Sequence, residues 1–172
     1  MSTPHQQFQI RRLAAEDVTA YREMRLEGLR NHPEAFGAAW EDEVDKPDSW
    51  WTARLESNAV FGGWIETSSL LGVAGFYVPG TAKQRHKGVL WGMYVRPDAR
   101  GTGLAAALLQ RVIAQARPLV EEIRLTVMAS NAAAHRLYSA AGFERYGLER
   151  RALKVGDDYY DDALMALPLQ RR

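Results

Sequence analysis

The 172-residue chain has no cysteine. That excludes disulfide bonds, a thiolate nucleophile and any metal site built on cysteine. Its four histidines, His5, His32, His86 and His135, are scattered without ligand spacing, so no metal is expected. An excess of one charge is also missing. Lys and Arg number 22 against 21 Asp and Glu, a formal net charge of +1. Such a balance provides no general basic field for nucleic acid. No apolar run approaches membrane-spanning length, and Met1 to Arg12 lacks the apolar stretch of a signal peptide. Internal repeats and low-complexity segments are absent too. What remains is an ordinary globular composition, 47% hydrophobic, with enough chain for a sizeable core. The expectation is a single domain over residues 1–172, cytoplasmic, with neither a membrane nor a nucleic-acid partner.

Periodicity divides the chain into elements. Phe8 to Leu13 reads as a first strand. Glu16 to Asn31 reads as a helix with Val18, Tyr21, Arg25 and Leu29 along one side, ended by Pro33. Phe36 to Lys46 is aromatic and acidic and has no clear period. Pro47 and Asp48 open a second helix through Trp50, Trp51 and Leu55. Ala59 to Glu66, Leu70 to Val78 and Val89 to Val95 are rich in β-branched and aromatic residues and read as strands. Thr67-Ser68-Ser69 is a turn, and Pro79 to Gly88 a polar, basic loop. A helical stripe follows through Leu104, Ala105, Leu108, Leu109, Val112, Ile113 and Ala116, with Pro118 as its stop. Ile123, Leu125 and Val127 alternate as a strand, which makes the strand–helix–strand unit a parallel right-handed crossover. Ser130-Asn131 caps a helix through Ala134, Leu137, Tyr138 and Ala141, and Gly142 ends it. Phe143 to Leu153 and Tyr159 to Leu167 form a closing hairpin around Val155-Gly156-Asp157-Asp158. The order βααβββαβαββ predicts an α/β fold with a mixed sheet.

The most informative stretch is Met93-Tyr94-Val95-Arg96-Pro97-Asp98-Ala99-Arg100-Gly101-Thr102-Gly103-Leu104-Ala105. It reads as a strand, a glycine turn and the first turn of a helix. Unpaired N–H groups at a helix start, with the positive end of the dipole behind them, suit a phosphate or pyrophosphate. Gly101 and Gly103 let the backbone approach the anion, and Arg100 adds charge. The pattern alone also fits the dinucleotide fingerprint through Gly101, Gly103 and Ala106. Element order speaks against that, because a dinucleotide fold carries its glycine turn after the first strand. A nucleotide P-loop needs Gly-Lys-Ser/Thr, and Thr102-Gly103-Leu104 is not that.

Two stretches together resemble the GCN5-related N-acetyltransferase (GNAT) superfamily. One is Tyr94-Val95-Arg96-Pro97 leading to Arg100-Gly101-Thr102-Gly103-Leu104-Ala105 and Leu108-Leu109. The other is Asn131-Ala132-Ala133-Ala134-His135-Arg136-Leu137-Tyr138 with Gly142-Phe143. Gly156-Asp157-Asp158-Tyr159-Tyr160-Asp161 before Leu164-Met165 resembles the family's last hairpin. The resemblance covers Val89 to Leu167 well and the N-terminal part loosely. It implies acetyl-CoA, or a related acyl-CoA, as donor, and a small-molecule or peptide amine as acceptor. It also implies a splayed parallel strand pair that holds the cofactor arm as a false strand against Met93, Tyr94 and Val95. The turn Arg100 to Ala105, with Thr102 in it, would hold the pyrophosphate. An N–H around Met93 would serve a developing oxyanion. Asn131 would cap its helix and touch the arm. Tyr138 would be the general acid for the departing thiolate, and its alternative is a core tyrosine beside Leu137 and Ala134.

Other roles stay open at this point. Many relatives carry a glutamate on the strand before the turn, whereas here it reads Leu90-Trp91-Gly92-Met93-Tyr94. Glu41, Glu43, His86 and Tyr94 are candidate bases, beside water relays. The favoured reading of Glu41, Asp42, Glu43 and Asp45 is a solvated acidic loop. Trp40, Trp50, Trp51, Trp64 and Trp91 line a pocket or fill the core. Lys83, Arg85, His86 and Lys87 read as a basic solvated loop. The rival from another class is a non-catalytic acyl-CoA-binding regulatory module. Homodimerisation is left open.

Overall fold

A computed structural model describes residues 7–169; His5 lies outside them. A seven-stranded mixed sheet runs in the order β1-β2-β3-β4-β5-β7-β6. Its strands are β1 (Phe8–Arg12), β2 (Ala59–Ile65), β3 (Gly72–Tyr77), β4 (Lys87–Val95), β5 (Glu122–Met128), β6 (Glu144–Val155) and β7 (Asp158–Pro168). The helices are α1 (Val18–Asn31), α2 (Trp40–Glu43), α3 (Asp48–Ser57), α4 (Leu104–Ala116) and α5 (Ala132–Ala140). The expected order is found with one addition. The aromatic, acidic stretch hides the one-turn helix α2, too short to show a period. The last turn is also tighter than expected, because Val155 and Asp158 pair and Gly156 takes φ +60°.

Two apolar layers bury opposite faces of the sheet. The stripe of α4, with Leu104, Leu108, Leu109 and Val112 wholly buried, packs with Phe61, Ala74, Phe76, Leu90, Ile123 and Leu125. Tyr138 and Phe143 extend this layer. On the other face, Tyr21, Met24 and Leu29 of α1 and Trp51 and Leu55 of α3 pack against Val60, Val73 and Tyr94. Strand alternation sorts neighbours such as Val60 and Phe61 to opposite layers.

The sheet's one parallel junction is short. β4 and β5 pair only at Lys87↔Glu122, Gly88↔Ile123 and Val89↔Arg124. Beyond Val89 the β5-facing edge of β4 has no strand partner, so the pair is splayed as expected. A bulge lies just past the split. Val73 pairs Tyr94 but Gly75 pairs Trp91, so β4 carries one extra residue, and Gly92 there has φ +62°. The bulge reverses the alternation and puts Trp91 and Tyr94 on the same face. Pro33–Ala35, between α1 and α2, touches β5 and β6 and so reaches over the mouth of the split.

Candidate active site

The turn before α4 is built to leave donors free. Pro97–Ala99 forms one 3₁₀ turn after β4. Gly101 and Gly103 then take φ +74° and +92°, the left-handed region that favours glycine. A Cβ on Gly101 would meet nothing within 4 Å, so the chain here faces open space. The backbone N–H groups of Gly101, Thr102, Gly103, Ala105 and Ala106 have no hydrogen-bond partner among the described residues. Thr102 staples the turn instead, its Oγ1 donating to Ala99 O and accepting from Leu104 N at 3.3 Å.

A cavity of about 420 Å³ joins this turn to β4 and α5. Met93, Tyr94, Val95, Arg100, Gly101, Gly103, Leu104, Ala105 and Asn131 all line it. Thr102 is the exception among the expected residues, because its side chain is spent inside the turn. Arg100 is exposed and partly engaged. Its Nε donates to Val95 O at 3.2 Å, and its Nη2 lies 3.3 Å from His32 Nε2. His32 thereby joins the wall. Asn131 caps α5 by accepting from Ala134 N at 3.1 Å, which leaves its amide N–H₂ for other partners.

A smaller cavity of about 140 Å³ occupies the split, between Leu90–Met93 and Leu125–Met128. Tyr138 lines it. Its ring packs edge-on against Phe143, with centroids 5.7 Å apart. The phenol is 6% exposed, and its hydroxyl has no partner among the described residues. Burial pushes its pKa upward, so it holds its proton. Asn131 lines both this cavity and the larger one.

The candidate bases separate clearly. Tyr94 donates its hydroxyl to Glu27 at 2.9 Å, and burial with that carboxylate raises its pKa to about 12. It stays protonated near neutrality. His86 is exposed and lies at the paired end of β4, away from the split. Glu41 is exposed on the wall of a cavity of about 590 Å³ between α2 and the β6–β7 turn.

Glu43 corrects the expectation of a solvated acidic loop. It is 3% exposed and accepts from Arg25 Nε and Nη2 at 3.0 Å each. Arg54 Nη1 and Nη2 bind the same two oxygens at 3.2 and 3.1 Å. Burial alone would raise this carboxyl, but the two guanidiniums overcome it and hold it below the usual carboxylate range. A carboxylate so paired is a poor base. Arg25 itself was legible in one respect: it is the cation on the otherwise apolar stripe of α1.

The tryptophans divide as well. Trp51 is wholly buried core. Trp91 lies over Gly75 and lines both the split and an adjoining cavity of about 380 Å³. Among the described residues, no group of His, Asp and Glu could hold a metal ion, and no helix is long and apolar enough to cross a membrane.

Comparisons with known proteins point the same way as this geometry. A model of the acetyltransferase (GNAT) family matches residues 23–143. The chain is similar to the ribosomal protein bS18-alanine N-acetyltransferase of Escherichia coli K12, 37% identical over 81 residues. That match covers 46% of this chain and 55% of the relative, so it spans about half the length of the curated relatives. A Salmonella typhimurium protein, yncA, solved with its cofactor acetyl-CoA, superposes with a TM-score of 0.80 at 23% identity, covering 96% of each chain. The Escherichia coli ribosomal-protein-S18-alanine N-acetyltransferase structure gives 0.73 at 24% identity, again over 96% of each chain. At such identities these structures establish the shared fold. The family match covers well over half of the chain and includes both the glycine turn and the helix that carries Tyr138. The chain belongs to the acetyltransferase (GNAT) family.

Proposed function

We propose that this protein is an acetyl-CoA-dependent N-acetyltransferase that passes the acetyl group directly to an amine in a ternary complex. The observation that carries this reading is one continuous arrangement. A turn with five unpartnered N–H groups, a free β4 edge and a protonated phenol in the split lie along adjoining cavities. That donor set fits a pyrophosphate followed by an extended amide-bearing arm.

Acetyl-CoA supplies an activated thioester when bound. The turn Arg100 to Ala105 holds the pyrophosphate by backbone N–H groups and the start of α4, with Arg100 beside it. Residues Met93 to Val95 pair with the arm along the open edge, and Asn131 donates its side-chain amide to it. The Met93 N–H at the bulge donates to the thioester oxygen as negative charge grows there. As nitrogen bonds to the carbonyl carbon and the carbon–sulfur bond breaks, the Tyr138 hydroxyl gives its proton to the leaving sulfur. Among the described residues no carboxylate lines the split or the 380 Å³ cavity, and Glu34 lines only the adjoining 420 Å³ cavity, which favours loss of the amine's proton to water. The chain has no cysteine to carry the acetyl group, which favours direct attack. The bS18-alanine relative is named for a protein-borne amine, so small and peptide-borne acceptors both fall within this reading.

The test has a binding arm and a turnover arm. Calorimetry is expected to show micromolar acetyl-CoA binding, abolished in folded Gly103→Glu protein, where bulk and negative charge meet the phosphates. Unchanged affinity in that variant removes the turn from the site. Free-thiol release across an amine panel should give intersecting initial-rate plots. Parallel lines, or an acetylated enzyme formed without acceptor, rule out direct transfer. Binding with no thiol release across a broad panel makes the protein a regulatory acyl-CoA-binding module instead.

A further inference from the structure

The cavity of about 380 Å³ lies on the α1 face of the sheet, beside the bulge. Its charge lining is one-sided. Arg25 and Arg124 line it, and among the described residues no carboxylate does. The Arg25 side chain is 7% exposed and commits Nε and Nη2 to Glu43. Its Nη1 makes no hydrogen bond to a described residue. Trp91 Nε1 is the only fully buried side-chain nitrogen or oxygen without a partner among the described residues. Nη1 is therefore not fully sealed, and Arg25 lines the cavity. It sits beside the bulge, since a Cβ on Gly92 would lie 3.5 Å from it. Arg54 shares Glu43, so two cations surround one anion and the group is net positive. Phe36 and Trp91 flank the Arg25 guanidinium at 5.3 and 5.5 Å. Arg124 lies over Tyr146 at 5.1 Å, on the outer side, and its Nε donates to Glu122 at 2.7 Å, so the surplus charge of the wall rests on Arg25 and Arg54.

A buried cation with one unused donor, walled by aromatics, calls for an anion. The same wall repels a second ammonium, which disfavours polyamines and lysine-like acceptors. A free amino acid carries a carboxylate two bonds from its amine nitrogen. With that carboxylate on Arg25 Nη1, the amine falls beside the Gly92–Met93 bulge, where the reacting carbonyl belongs. We propose that this cavity binds the carboxylate of a free amino acid whose amine is the acetyl acceptor, with Arg25 as the specificity-determining donor and Arg124 as a second cation. The inference rests on the N-acetyltransferase reading and narrows its acceptor. A peptide N-terminus offers only a neutral carbonyl at the same place.

Matched acceptors test it. Thiol release from acetyl-CoA is measured with each standard L-amino acid, its methyl ester and its decarboxylated amine. For the best acceptor, kcat/KM of the free acid is expected to exceed both partners by about 10- to 100-fold, the range of a charge-assisted hydrogen bond. Arg25→Lys and Arg124→Gln should narrow that ratio, chiefly through KM. Arg124 is half-exposed on a strand, so its variant is expected to fold even where Arg25→Lys does not. A wild-type ratio near one, or one favouring ester or amine, overturns the proposal while leaving the N-acetyltransferase reading intact. Should no acceptor release thiol, that reading fails by itself. Calorimetry of N-acetyl amino acids against their methyl esters, on enzyme saturated with coenzyme A, then decides the carboxylate site. Tighter binding of the acids supports it, and equal or undetectable binding of both overturns it.

Discussion

Tyr138 has a core ring and, as the proposed acid, a hydroxyl at the split. Its ring is core, buried against Phe143, while its hydroxyl at the split has no partner among the described residues. Burial raises the phenol's pKa, which makes it a poor base and a reservoir of one proton. Tyr138→Phe keeps the ring and removes only the proton. It should lower kcat by about 10²- to 10⁴-fold with little change in acetyl-CoA affinity or stability. Donors with a better leaving thiol should lose less. Near-wild-type turnover at saturating acceptor, with chemistry rate-limiting, would make Tyr138 a packing residue and leave water as the acid.

Among the elements, β4 decides most. A regular strand would send Trp91 and Tyr94 to opposite faces and present an even edge to β5. The extra residue at Gly92 turns both onto the α1 face and aims the backbone at the split. Gly92→Ala tests this locally. A Cβ there meets only Arg25 Nη1 at 3.5 Å, so sterics are mild, but φ +62° costs a non-glycine residue about 1–2 kcal/mol. The expected result is a lower melting temperature with a clear loss of kcat, as the bulge relaxes toward regular pairing. Gly80→Ala, outside every cavity described, is the control. Nothing lies within 4 Å of its Cβ and its φ is not positive, so stability should change by less than about 0.5 kcal/mol. Equal effects from the two changes would refute a special role for the bulge.

For the whole molecule, the Arg25–Glu43–Arg54 group ties α1, α2 and α3 together. Because the folded protein holds Glu43 below its ordinary pKa, its contribution is complete above the unfolded value and is lost as pH falls through the lowered one. Asp17, held down by its bond to Arg11 despite burial, has the same sign. Asp162 has the opposite sign, since burial, then Glu149 and Asp161, raise it. Urea midpoints should therefore be nearly flat from pH 7 to about 5 and fall below the ordinary carboxylate range. Glu43→Gln leaves two cations short of a partner and should cost about 3 kcal/mol at neutral pH, with a shallower acid fall. An unchanged acid limb in Glu43→Gln would show that this group does not set it.

Periodicity and punctuation by themselves determined every strand, the four longer helices, the parallel crossover and the glycine turn. Those features are local, and their signals are local too: alternation, a helical stripe, a cap at Asn131, a stop at Pro118. Most residues lining the 420 Å³ cavity were equally legible, because one turn and its two neighbouring elements carry them. Only the tertiary structure decided the rest. The split begins after Val89 because pairing between β4 and β5 stops there, a fact of two distant segments. The bulge at Gly92 depends on register against β3. Glu43 reads as solvent-facing until Arg25 and Arg54, from two other helices, close around it. The cation-lined cavity is assembled from α1, β4 and β5. Charges far apart in the chain have no spacing to read, so their neutralisation or surplus exists only once folding brings them together.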